Sequence, residues 1–197
     1  MAGNTDIIKK LGLDTRDTET DSVVFLIQNC IEGDLKAQRL LYEQYAPFLK
    51  GVIVRYISDT ETVKDLLNDI FSKIFIKLDK YKPTGAFKAW IRTIAVNTII
   101  DHVRKNMKHK DTHYIDYTEQ DVYVPDDING KIAYKELLQL IQDLPDTQKT
   151  VFNLFVFENL THKEISTLLT ITENNSRWYL SDARKRLKEK LERLMPK

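Results

Sequence analysis

The 197-residue sequence predicts an all-α protein made of two small helical domains joined by an acidic linker. Three observations carry that reading. Apolar residues recur at i, i+3, i+4 over most of the chain, the period of a helix with one buried face. Only 6 Gly and 5 Pro are present, too few for a turn-rich β-sandwich, and 42% hydrophobic residues suffice for packed cores. The charge also changes sign abruptly in mid-chain. Residues 1–110 hold 18 basic and 14 acidic side chains, residues 111–132 hold 1 and 6, and residues 133–197 hold 11 and 9, within an overall balance of +1. The middle stretch contains Pro125 and Gly130, has little helical period, and reads as a linker. A surface loop of that length inside one domain is the less common arrangement.

The expected plan is a polar tail over residues 1–20, a helical domain over 21–110, a linker over 111–131 and a second helical domain over 132–197. Asp21 is positioned to cap a helix through about Glu32, and Asp34 to cap the next through about Ile57, with Pro47 expected to kink or break it. The clearest helix runs from Thr60 to Leu78, where Val63, Leu66, Leu67, Ile70, Phe71, Ile74, Phe75 and Leu78 form an unbroken apolar series. After the break DKYKPTG, a long helix from about Ala86 to Met107 carries the stripe Phe87, Ile91, Ile94, Ala95, Thr98, Ile99 and Val103.

In the second block, AYKELLQLIQDL is followed by Pro145, which suits a first helical position, and by the apolar helix TQKTVFNLFVF. Thr161 and Glu164 form a capping box for a short helix through about Leu169. Thr170, Ile171 and Thr172 then separate it from a long basic helix. That order is the shape of a helix-turn-helix, with Ile165, Leu168, Leu169, Ile171, Leu180, Ala183 and Leu187 as its small core.

Enzyme chemistry finds little to work with. His109 and His113 have the i, i+4 spacing of a metal pair but no third ligand, so no metal is expected, and the pair reads as solvated. There is no phosphate-binding glycine loop and no nucleophile or zinc motif, so neither a catalytic site nor a cofactor is expected. Cys30 stands alone and excludes an internal disulfide. No apolar run approaches 18 residues and the first residues are polar, which predicts a soluble, cytoplasmic protein with no membrane insertion.

Nucleic acid fits better. The last 22 residues carry eight basic side chains against three acidic ones, suited to displacing counterions from phosphates. The N-terminal turn of that helix offers Asn174, Asn175, Ser176 and Arg177, side chains able to read base edges in a major groove. A second concentration, from Lys80 to Lys110, interleaves cations with Tyr81, Phe87 and Trp90, the pattern of a single-strand platform on which bases stack. Phe87 belongs to the core stripe; Trp90 lies off it and is open to either role. Asn97, Asp101, Arg104 and Lys108 share a polar stripe on the same helix.

These residues resemble the bacterial RNA polymerase sigma factors of the sigma-70 family, specifically the extracytoplasmic-function (ECF) group. GDLKAQRLLYEQYAPFL, TVKDLLNDIFSKIFIKLDKY and FKAWIRTIAVNTIIDHVRK are similar, in order, to successive parts of the family's region 2, and residues 144–187 resemble its region 4. The resemblance implies a transcription initiation factor without an active site of its own. It implies docking on the β′ clamp helices of core RNA polymerase through Asp65, Asn68, Asp69 and Phe71, with region 4 resting on the β flap. It implies capture of an unpaired -10 base by Lys80, Tyr81, Lys82, Thr84, Trp90, Arg92, Asn97 and Arg104. The -35 element would be read as duplex by Asn174, Asn175, Ser176, Arg177, Tyr179 and Arg184. An anti-sigma factor is implied as a partner, and the acidic linker would run along the polymerase's nucleic-acid path or fold over a basic face of the free protein.

Three departures from the family pattern stand out. Thr170 replaces the usual Gly of the turn, Asn174–Ser176 replace Gly-Thr-Val, and Ser176 thereby removes an apolar contact that Trp178 is placed to make good. Two other functions compete with the sigma reading. One is a stand-alone helix-turn-helix regulator with a helical sensing domain. The other is a helical interaction scaffold with merely solvated basic faces.

Overall fold

The computed structural model describes residues 15–82, 86–107 and 134–194. Regular structure among the described residues is helical throughout: α1 (Thr15–Ile31), α2 (Leu35–Ile53), α3 (Thr60–Lys77), a 3-10 turn (Leu78–Lys80), α4 (Phe87–Met107), α5 (Tyr134–Gln142), α6 (Asp146–Val156), α7 (His162–Leu169) and α8 (Glu173–Leu194). The all-α expectation holds. The acidic stretch 111–131, and with it the expected masking of a basic face by the linker, lies outside the described residues.

Local chemistry sets the ends of the first-block helices. The Asp34 carboxylate accepts the Lys36 N–H at 2.8 Å, and Asp59 accepts both the N–H and the hydroxyl of Thr62 at 2.8 and 2.7 Å. Those two bonds hold the Asp59 carboxyl below the usual carboxylate range. Two expectations are corrected here, the cap at Asp21 and a break at Pro47. The first helix begins at Thr15, so Asp21 is an interior residue and not a cap. The second runs through Pro47, which is exposed, so the lost donor costs the helix one bond without ending it.

Helices α2, α3 and α4 pack against one another around Leu41, Leu49, Ile53, Ile70, Ile74, Leu78, Ile91 and Ile99, all fully buried. Every member of the predicted α4 stripe is buried, but so are Val96 and Ile100 outside it. These two and Val103 lie at i+4, i+8 and i+11 from Arg92, so they share its face of the helix. That face is turned toward the second block, and a single hydrophobic core runs on into Val151, Leu154, Ile165, Leu169 and Leu180.

The helix-turn-helix forms as its sequence requires. Thr161 and Glu164 make the reciprocal capping box. Thr170 adopts φ +58° and ψ +46°, and the N–H groups of Thr170 and Ile171 both close onto the Ser166 carbonyl. The position therefore does need the left-handed conformation that glycine adopts most cheaply. Thr172 caps α8 by accepting the Asn175 N–H at 3.1 Å. Helix α8 has two supports. Leu180 joins the main core, while Ala183 and Leu187 pack on Leu140, Ile141 and Leu144 around α5. Pro145 caps α6 from just outside it, one residue before the position expected.

Candidate nucleic-acid interface

Four rings meet where the 3-10 turn leads into α4. Tyr45 and Tyr81 each meet Phe87 edge-on at 5.1 Å, and Trp90 lies 5.7 Å from Phe87 and 5.3 Å from Tyr81. Tyr45 and Phe87 are buried, whereas Tyr81 and Trp90 are half-buried with the exposed Lys80 and Lys82 beside them. Trp90 is thus both a core neighbour and a surface ring. A rigid aromatic edge flanked by ammonium groups is suited to stacking an unpaired base and meeting its phosphate. Thr84 lies outside the described residues. Further along α4, Asn97 is exposed, and Arg104 pairs with Asp101 at 3.0 Å on the surface. Lys73, from α3, reaches the Thr98 hydroxyl at 3.1 Å. A groove of about 390 Å³ there is lined by Lys73, Arg104 and Lys105 together with the carboxylates of Asp69 and Asp101, a wall of mixed charge.

Arg92 behaves differently from its neighbours on the expected DNA-contact set. Its guanidinium is joined to Glu158, from the turn after α6, by bonds of 2.7 and 2.9 Å, and donates to the Phe157 carbonyl at 2.8 Å. Arg55 lies 3.9 Å from the same carboxylate and 4.7 Å from the centre of the Phe157 ring. The buried Tyr56 hydroxyl donates to Glu158 at 3.4 Å, its phenol pushed far up by burial and then by the carboxylate charge. Two bonds between side chain and backbone complete the junction: Gln142 to the Val54 carbonyl and Asn153 to the Arg55 carbonyl, both 2.8 Å.

The recognition helix corrects two expected base contacts. Ser176 is 0% exposed and Asn175 5%, so neither faces DNA. Ser176 instead bonds Nδ1 of His162 at 2.9 Å, and that ring stacks on Phe155 at 4.9 Å. The serine that replaces an apolar residue is therefore satisfied by a histidine 14 residues earlier, and His162 is half-buried and partnered. Tyr179 is half-buried against the core, and Arg184 lies over the Phe155 ring at 5.5 Å. Asn174 is exposed, and the half-exposed Arg177 is paired with Glu173 at 3.3 Å. Trp178 does not fill a gap under Ser176. It packs against neither core and meets Tyr179 edge-on at 5.2 Å. At i+4 from Asn174 it shares the outward face with Arg177, Ser181 and Lys185, a place that its position relative to the buried Leu180 and Ala183 would have revealed.

On α3, Asp65, Asn68 and Asp69 are exposed on one side, available to a protein partner. Phe71 is not: it is 3% exposed, part of the core, with the rings of the surface Tyr42 and of Phe75 tilted against it at 4.4 and 6.0 Å. The sequence reading missed Glu158 entirely. Its signal was a single acid at the end of the apolar run TVFNLFVF, where burial without a basic partner would be costly. Among the described residues no group of three or more His, Cys, Asp or Glu could hold a metal ion, and no helix is long and apolar enough to cross a membrane.

Comparison with known proteins matches both blocks. Sigma-70 region 2 aligns with residues 41–109 and sigma-70 region 4 with residues 134–187. The chain is 25% identical over 186 residues to the RNA polymerase sigma-H factor of Pseudomonas aeruginosa, covering 86% of this chain and 94% of that one. It is 27% identical over 161 residues to the ECF RNA polymerase sigma factor SigM of Bacillus subtilis, covering 75% and 91%. Among solved structures, the sigma factor RpoE of Bartonella quintana, in complex with the anti-sigma factor NepR, aligns over 80% of this chain and 98% of that one, at 20% identity and a TM-score of 0.47. With both regions matched in order, on a helical bundle and a helix-turn-helix, the chain belongs to the sigma-70 family of RNA polymerase sigma factors, in its extracytoplasmic-function group.

Proposed function

We propose that this chain directs core RNA polymerase to particular promoters and assists opening of the -10 element, dividing promoter DNA between two surfaces of different chemistry. The observation that carries it is the pairing, in one chain, of a half-buried aromatic platform with a separate helix-turn-helix bearing outward cations. Unstacking a base step costs a few kcal/mol, so a ring that stacks the freed base biases the duplex toward opening without fuel. Tyr81, Trp90, Lys80 and Lys82 take the base and its phosphates, with Asn97 and Arg104 further along the strand. Asn174 and Arg177 face the -35 duplex, and Trp178 joins them. Asp65, Asn68 and Asp69 dock on the β′ clamp helices, and the helix-turn-helix domain rests on the β flap.

On this reading the nucleotide chemistry belongs to the polymerase, and the protein works in the cytoplasm, where polymerase and promoter meet. An anti-sigma factor is its second protein partner. The test is in vitro transcription with bacterial core polymerase over a library of promoter fragments. Initiation that depends on both core and this chain is the expected result. Tight duplex binding by the chain alone, with no association with core, would replace this reading by that of a stand-alone regulator.

A further inference from the structure

Trp178 stands at the crest of the outward face of α8. It lies two residues before the buried Leu180, five before Ala183 and nine before Leu187, so at about 100° per residue it points away from all three. Its half-exposed ring packs against neither core and meets Tyr179 edge-on at 5.2 Å, and the Tyr179 ring is itself seated on the main core. The indole is thus raised on the surface and braced from below. Its neighbours on that face, Asn174, Arg177, Ser181 and Lys185, offer an amide, a hydroxyl and two cations, with no second apolar group. The acid one turn on, Asp182, is taken up by Gln148 and Arg186 at 3.0 and 2.7 Å. Along α8 the nearest exposed large apolar residue is Leu194, about 24 Å away. A protein-docking patch gathers several apolar side chains, whereas one ring among cations suits a polyanion with isolated apolar points.

We infer that Trp178 reads the C5-methyl group of a thymine in the -35 element, which makes it a specificity-determining residue of the recognition helix. This role rests on the proposed reading of α8 as the -35 reader and adds the base that the ring selects. In the major groove the base edges present hydrogen-bond donors and acceptors, and the thymine methyl is the apolar group among them. An indole offers a single N–H donor and no acceptor. Pressed on cytosine, its ring would strip water from the N4 amino group and return no hydrogen bond. Against thymine the same ring covers a methyl group that gains by leaving water. Nor can it form the two-bonded contacts by which arginine reads guanine and asparagine reads adenine. The brace from Tyr179 sharpens the choice, because a ring already held in place loses less freedom when DNA arrives. Trp178 therefore selects by shape and desolvation, where Asn174 and Arg177 select by hydrogen bonds.

The test uses holoenzyme reconstituted from the full chain and bacterial core polymerase. A -35 duplex is first selected from promoter fragments randomised over that element. Each thymine of the selected duplex is then replaced, one at a time, by deoxyuridine, which lacks only the methyl. Wild type should bind about fourfold more weakly when one particular thymine is replaced. Trp178→Ala should bind thymine and deoxyuridine alike at that position. Trp178→Phe should keep part of the difference, and it carries the test if Trp178→Ala binds too weakly to compare. No thymine in the selected element, no methyl effect in wild type, or a methyl effect undiminished in both variants would each overturn the role of Trp178 and leave -35 reading by α8 intact. Failure of wild-type holoenzyme to select any -35 element would instead overturn the sigma reading, and the role of Trp178 with it.

Discussion

At the start of α4, Tyr81, Phe87 and Trp90 lie 5.1 to 5.7 Å apart, whereas the outward face of α8 carries Asn174, Arg177 and Lys185 around one tryptophan. The first surface gains its order from the core, because Phe87 and Tyr45 anchor the rings from beneath. The second is ordered by its own chain, through a capping box, a left-handed turn and the Thr172 cap. The two also differ in how they use charge. On α8, Arg177 and Arg186 pair with acids four residues away on the surface, contacts that salt and phosphate displace at little cost. On α4, Arg92 is held by a half-enclosed acid 66 residues away. On the proposed division, a platform for a single strand takes rigid rings, and a duplex reader takes cations that are free to move.

The largest expected effect breaks the first surface alone. Trp90→Ala removes a stacking ring worth about 1–3 kcal/mol per base, and should slow promoter opening by up to roughly a hundredfold while leaving -35 duplex binding intact. Permanganate reactivity of -10 thymines and gel-shift of the closed complex separate the two. Arg177→Ala should do the reverse, weakening -35 binding by about 1–3 kcal/mol with unchanged opening once the complex is bound. Fluorescence anisotropy against cognate and mutated -35 duplexes measures it. An opening defect in Arg177→Ala would dissolve the division between the surfaces.

A smaller effect separates what orders the reader from what reads. Ser176→Ala leaves His162 without its hydroxyl partner and should cost about 1–2 kcal/mol of stability by denaturant melt, with the -35 base preference unchanged. A changed base preference would return Ser176 to the DNA surface. Thr170→Gly relieves a β-branched residue at positive φ and should stabilise the chain by about 1 kcal/mol.

The smallest effect is with pH. The Thr161 N–H and hydroxyl hold the Glu164 carboxyl below the usual glutamate range. A depressed native pKa gives stability that is present above the unfolded value and lost as pH falls through the native one. The melting temperature should therefore drop below about pH 4, and less steeply in Glu164→Gln.

Much of this was legible in the sequence because it is local. Asp34, Asp59, Thr161 and Glu164 act within four residues, so each cap could be read from spacing alone. So could the α3 and α4 stripes and the three-residue turn before α8, because helical period needs only the chain itself. The pattern blurred wherever a helix buries more than one face. Phe71 reads equally as stripe or docking residue, and only the packing of the helices, which leaves it 3% exposed, decides that it points inward. Ser176 and Asn175 look like surface polar residues, yet both are buried, Ser176 against His162 of α7.

By itself the sequence determined most of the helices, the Asp34 and Thr161 caps, the helix-turn-helix and the placement of cations on two segments, since those follow from neighbours along the chain; the start of α1 and the place of Asp21 inside it did not follow. The tertiary structure alone decided which polar residues were lost to the interior, that Arg92 closes on Glu158, and that the two blocks share a core. Contacts between residues 66 to 102 positions apart leave no period and no motif, because the partner's distance along the chain is set by how the helices pack.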